Sequence, residues 1–216
     1  MPSITDGLLA QLQGQPLDRM SQQLGLSPQQ TSNAVAAALP LLLGTLGRNA
    51  AQPQGAQSLF GALRKDHAGL DIGDVLGSVL GGGGQGDKIL GHMFGQRQDV
   101  AAGGLGSTTG LAPDKAKVLL RWLAPLAMAY LAKKMFDRRQ GHAAGAGGHG
   151  SIVAAERAAT EAPDPTPDEL RDVLGREERD IQQQGGLGGG LLGAVLDRNR
   201  DGKVDFSDLM SPGGRL

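Results

Sequence analysis

Oxygen-bearing side chains recur at alternate positions between residues 197 and 208, which read Asp-Arg-Asn-Arg-Asp-Gly-Lys-Val-Asp-Phe-Ser-Asp. A hard divalent cation such as Ca²⁺ takes six to eight oxygen ligands, and a twelve-residue loop supplies them from positions 1, 3, 5, 7, 9 and 12. Asp197, Asn199 and Asp201 stand at positions 1, 3 and 5, and Asp205 and Asp208 at positions 9 and 12. Lys203 at position 7 would contribute its backbone carbonyl, so its charged side chain is no obstacle. Gly202 at position 6 permits the sharp turn such a loop needs. Arg198 and Arg200 fall at the outward-pointing positions 2 and 4. The chemistry expected is Ca²⁺ binding by Asp197, Asn199, Asp201, Lys203, Asp205 and Asp208. The competing reading is an Asp/Asn/Gly-rich turn that holds no ion.

These residues resemble an EF-hand loop of the dockerin-like, single-loop kind, over about residues 187–211. Position 12 departs from that pattern, because Asp208 is shorter than the usual Glu and reaches less easily for bidentate coordination. That favours fewer ligands and admits Mg²⁺. The basic residues inside the loop also reduce its net charge, so weak-to-moderate affinity is expected. A lone loop of this kind would pair across a homodimer or pack on the helix before it.

Elements that could position the loop are legible upstream. Leu191, Leu192, Val195 and Leu196 form a short apolar entry, softened by Gly188–Gly190, and Phe206, Leu209 and Met210 begin an exit that Pro212 soon stops. Before them, Thr166-Pro167-Asp168-Glu169 reads as a capping box, followed by Leu170, Val173, Leu174 and Ile181 on one stripe. The expected divisions are a helical domain at 1–140, a Gly/Ala/Pro-rich linker at 141–166, an amphipathic helix at 167–184 and the EF-hand-like segment at 185–216. Charge follows the same division. Residues 1–140 carry +4 and residues 141–216 carry −5, within a net charge of −1.

Composition selects the fold class. Leu (32) and Ala (27) dominate the 216 residues, β-branched and aromatic residues are few, and 36 Gly punctuate the chain. This favours an all-α protein. With no Cys there is no disulfide scaffold, thiol nucleophile or Cys-ligated zinc. No basic n-region with an apolar run opens the sequence, and the apolar stretch Trp122–Ala132 is shorter than the ~20 residues a membrane span needs. A soluble, cytoplasmic protein is expected.

Within 1–140 the informative feature is an internal repeat. Gly25-Leu26-Ser27-Pro28 recurs as Gly110-Leu111-Ala112-Pro113, and Pro40 recurs as Pro125, both at an offset of 85. Ser27-Pro28-Gln29-Gln30 is an N-cap, a proline at N1 and a capping-box glutamine. A proline inside a helix costs about 3 kcal/mol or more. Two at equivalent positions therefore predict a pair of long, kinked, pseudo-equivalent helices packed together as the core, from Pro28 to about Leu46 and from Pro113 to about Arg139. Shorter helices are expected from Ser3 to Gly14, from Pro16 to Leu24, and over 58–65, 71–80 and 87–94.

Leu24-Gly25-Leu26-Ser27-Pro28, the run Ala36–Gly44 and Asp87-Lys88-Ile89-Leu90-Gly91-His92-Met93-Phe94-Gly95 resemble the bacterial family catalogued as domain of unknown function 937, which includes YidB-like proteins. The last of the three is the most specific. The resemblance covers about residues 1–140 and implies a small all-helical domain without an established activity.

Other chemistry is thinner. The segments on either side of Gly25-Leu26-Ser27 outline a helix-turn-helix, and Gln29, Gln30, Ser32 and Asn33 could read bases. No Lys or Arg occurs between Arg19 and Arg48, however, and phosphate contact dominates such affinity, so no nucleic acid is expected. His92 is read as a packed core histidine. Lys133, Lys134, Arg138 and Arg139 are read as a solvated helix end rather than a membrane-surface contact. No nucleophile elbow, phosphate-binding loop or His-Glu-x-x-His is present, so a non-enzymatic protein is expected. Two functions follow: a calcium-binding protein whose metal orders the C-terminal tail, or an interaction scaffold for a protein or membrane surface in which the loop is incidental.

Overall fold

In the computed structural model, which describes residues 3–67, 69–82, 85–136 and 165–183, every regular element is helical. In chain order they are α1 (Ile4–Leu12), α2 (Gln15–Leu24), α3 (Pro28–Ala51), α4 (Pro53–Ala62), a π-turn (Leu63–His67), α5 (Ile72–Leu80), α6 (Gln85–Phe94), a 3₁₀ turn (Gly95–Arg97), α7 (Gln98–Thr109), α8 (Pro113–Phe136) and α9 (Pro167–Gln183). The all-α expectation holds for these residues.

The repeat is structural. Helices α3 and α8 each run 24 residues, begin at the matched prolines and continue through Pro40 and Pro125. Each follows a glycine in the left-handed region, Gly25 at φ 60° and Gly110 at φ 72°, which closes the preceding helix. A side chain at that φ would be strained, so glycine is the residue that lets α2 and α7 turn sharply into the long helices. The same register pairs α1 with α6 and α2 with α7, giving two three-helix units. Their long helices pack on one another and form the core. Leu39, Leu41, Leu42 and Leu43 of α3, and Leu119, Leu123, Leu126 and Leu131 of α8, are fully buried. Burying such a side chain contributes about 1.5–3 kcal/mol.

Ser27 begins α3 with a full capping box, its hydroxyl accepting from the Gln30 amide while the Gln30 side chain accepts from the Ser27 amide. Helix α3 extends to Ala51 rather than stopping near Leu46. By length and mean hydropathy it alone among the described helices could cross a membrane, yet 72% of its apolar window is buried, with α1, α2, α4, α8 and α9 packed around it. Its apolarity is accounted for by the core.

Helix α7 was not expected from the sequence, because Gly103, Gly104 and Gly106 disfavour a helix interior. Packing overrides propensity here. Ala101, Ala102 and Leu105 are buried, and α7 lies along α3 and α8. The Leu111 carbonyl comes so close to Gly106 that an added Cβ would stand 2.7 Å from it. Ser107, Thr108 and Thr109 each donate a hydroxyl to the carbonyl four residues back, so the polar side chains of the last turn are satisfied within the helix.

Helix α9 returns to this body and lies against α3 and α4. Leu170, Leu174 and Ile181 are buried there. They belong to the stripe read from the sequence.

Candidate functional site

The six residues expected to hold a metal, Asp197, Asn199, Asp201, Lys203, Asp205 and Asp208, lie outside the described residues, as do residues 141–164 of the linker and the whole of the segment at 185–216. Among the described residues no group of three or more His, Asp or Glu side chains could hold a metal ion. Two other constellations stand out.

The first is a buried carboxylate that ties the end of the described chain to its beginning. Glu177 of α9 is 3% exposed. One oxygen accepts from the Ile4 amide at 2.7 Å, and the other from the Thr5 amide at 2.8 Å and the Thr5 hydroxyl at 2.6 Å. A helix N-terminus leaves its first N–H groups without intrahelical partners and carries partial positive charge. Glu177 satisfies the first two helical amides of α1, and the Ser3 hydroxyl satisfies the third, that of Asp6. These charge-assisted bonds stabilise a carboxylate that burial alone would penalise. Tyr130 of α8 stands beside the junction with its hydroxyl pressed on Gly7. Burial raises the Tyr130 phenol above its ordinary range, and the negative charge of Glu177 adds to the shift.

Next to it, Glu178 reaches Arg48 of α3 at 3.6 Å. Burial lifts the Glu178 carboxyl above the usual carboxylate range, and the Arg48 guanidinium opposes the shift. The sequence contained a signal for this junction. Residues 170, 174, 177 and 181 fall on one helical face, so Glu177 interrupts an apolar seam with a charge, and such a charge needs partners.

The second constellation is a groove of about 550 Å³ between the end of α3, α4 and α6. Leu46, Leu59, Ile89, Met93 and Met128 supply apolar lining, and Asn49, Gln52, Ser58, Asp66, Lys88 and His92 are the polar groups around it. Asn49 fixes one wall, its amide donating to the Met93 carbonyl at 3.4 Å. Gly55 lets α4 fold tightly back from α3, since its backbone presses on the Asn49 carbonyl. At the other side Gly86 brings α6 onto the backbone of α8 at Arg121, and Asp87 pairs with Arg121 at 3.4 Å. The motif that carries the family resemblance most specifically is thus one wall of this groove.

The groove also corrects a reading. His92 was expected to be packed in the core; instead it is exposed and faces the groove. The buried face of α6 is carried by Gly86, Leu90, Met93 and Phe94, and His92 falls off that face. Nothing in the linear pattern announced the groove, because its lining comes from four separate helices.

Residues 6–134 match the model of a family described as bacterial protein of unknown function (DUF937). No curated protein and no solved structure matches the chain.

Proposed function

The chain belongs to this bacterial family of unknown function, and we propose that it is a non-enzymatic calcium-binding member in which the loop at 197–208 takes Ca²⁺ beyond the helical body. One observation carries the reading: Asp197, Asn199, Asp201, Asp205 and Asp208 place oxygen donors at loop positions 1, 3, 5, 9 and 12, with Gly202 at 6. Lys203 adds its carbonyl. Binding would couple the metal to folding of the EF-hand-like tail, in a structural or a sensing role. Helix α9, whose apolar stripe is held on α3, ends at Gln183, with residues 184–196 between it and Asp197.

Isothermal titration of the full chain tests this. Ca²⁺ is expected to bind with a Kd of roughly 10⁻⁵–10⁻³ M, with Mg²⁺ weaker. The Asp197→Ala, Asp201→Ala double variant should lose the heat. A wild-type chain that gives no heat with Ca²⁺ sinks the reading.

A second reading takes the helical body as the binding module and the loop as incidental. It is favoured by the groove between α3, α4 and α6. Limited proteolysis separates the two. Calcium-dependent protection of residues 167–216 supports the first, and protection indifferent to Ca²⁺ supports the second.

A further inference from the structure

The two halves of the repeat differ beside the groove, at the position His92 occupies. In the register of 85, Gly7 pairs with His92 and Thr45 pairs with Tyr130. In the first half the Tyr130 ring extends to Gly7 and fills the space over it. In the second, Thr45 is short, buried, and turned back to the Leu41 carbonyl at 2.8 Å. It cannot fill what a phenol ring fills, and His92 stands at the open edge.

What remains is a largely apolar trough with Lys88 and His92 on one lip. Lys88 and His92 are four residues apart on α6, hence neighbours on one helical face, and both are exposed. Neither makes a hydrogen bond or ion pair among the described residues, whereas Asp87 beside them is engaged by Arg121, and Lys117, Arg171 and Arg48 have carboxylate partners. The volume lies within the ~300–1,000 Å³ typical of small-ligand sites.

We propose that this groove binds one molecule of a long-chain carboxylate, its hydrocarbon tail on Met93, Met128 and Leu46 and its head group between Lys88 and His92. Methionine side chains are unbranched and adapt to an irregular chain. The Lys88 ammonium offers a point charge with three donors, and the His92 ring offers an N–H. The proposal rests on the groove and not on the metal loop, so calcium titration and ligand titration fail independently.

The test uses the full chain and parinaric acid, a fluorescent long-chain polyene carboxylate, below its micelle concentration. Saturable enhancement in the roughly micromolar range, reversed by oleate, is expected. The Lys88→Gln, His92→Gln double variant should bind at least about tenfold more weakly, since it removes the ammonium and the ring N–H that would hold the head group. Oleyl alcohol should compete at least about tenfold less well than oleate. Ser58→Trp, at an exposed lining position, should block the groove and abolish binding. These three positions are exposed, and unchanged helical circular dichroism checks that each variant folds. Absence of saturable binding overturns the proposal. So does binding that oleyl alcohol matches and the double variant leaves unchanged. Sedimentation with anionic phospholipid vesicles in the absence of binding to free oleate overturns it too, and assigns this lip to a membrane surface.

Discussion

The unit α1–α3 and the unit α6–α8 share helix order, a left-handed glycine before the long helix and a proline within it, yet they secure their first helices by opposite means. Helix α1 is held by a buried carboxylate from α9 that meets two backbone amides and a hydroxyl. Helix α6 is held by steric closeness at Gly86 and an exposed pair, Asp87–Arg121, at 3.4 Å. The first arrangement leaves Ile4 buried and Gly7 covered by the Tyr130 ring; the second leaves their counterparts Ile89 half-buried and His92 open. A duplicated outline can therefore keep its core while one copy is sealed and the other retains a binding space.

The contrast breaks most visibly at Glu177. Glu177→Ala leaves three donors without their acceptor and should cost about 3 kcal/mol, whereas Asp87→Ala, which removes a surface pair, should cost under ~0.5 kcal/mol. Urea unfolding of the two variants measures both, and equal losses would dissolve the distinction.

Glycine substitutions come next. Gly86→Ala forces α6 away from the Arg121 backbone and should cost about 2 kcal/mol. Gly103→Ala, in open space on α7, should stabilise by about 0.5–1 kcal/mol. A stabilising Gly86→Ala would mean that α6 is not held by closeness.

The caps give a reciprocal test of about 1 kcal/mol. Ser27→Ala removes the capping box of α3, while Ala112→Ser supplies α8 with the hydroxyl its counterpart has. Thermal melts should move in opposite directions.

The smallest effect is a pH dependence. Because burial raises the Glu178 carboxyl in the folded state, the folded protein binds a proton more tightly there than the unfolded chain does. This contribution is fully present below the unfolded carboxylate pKa and is lost as pH rises through the raised folded value. Glu178→Gln should flatten that part of the stability curve, and a curve identical to wild type would remove Glu178 from the account.

Much of the fold was legible because it rests on local chemistry. Ser27-Pro28 with Gln30, the pairs Gly25/Gly110 and Pro40/Pro125, and the stripe Leu170, Leu174, Ile181 each encode their structure within a few residues. Helix α7 was not legible, because its glycines are tolerated only by neighbours distant in sequence. His92 was misjudged for a related reason: its neighbours on α6 are apolar, but the side of the helix it occupies meets a groove assembled from α3, α4 and α8. Glu177 was not read from the sequence. Its spacing from Leu174 and Ile181 puts it on their seam, but its partners, Ile4 and Thr5, come from the other end of the described chain. The metal loop is legible as donor chemistry, and its test lies with titration.

The Glu177 bonds span 173 and 172 positions of sequence. On a ribosome adding ~5–20 residues per second, α1 emerges and then waits roughly 10–35 s before the carboxylate that completes its first turn has even been synthesised. Throughout that interval two amides of α1 face water and the α3 surface under α9 lies bare. Closure of the molecule is thus tied to translation reaching its late residues, and a nascent chain arrested before α9 presents an apolar flank that the finished protein conceals.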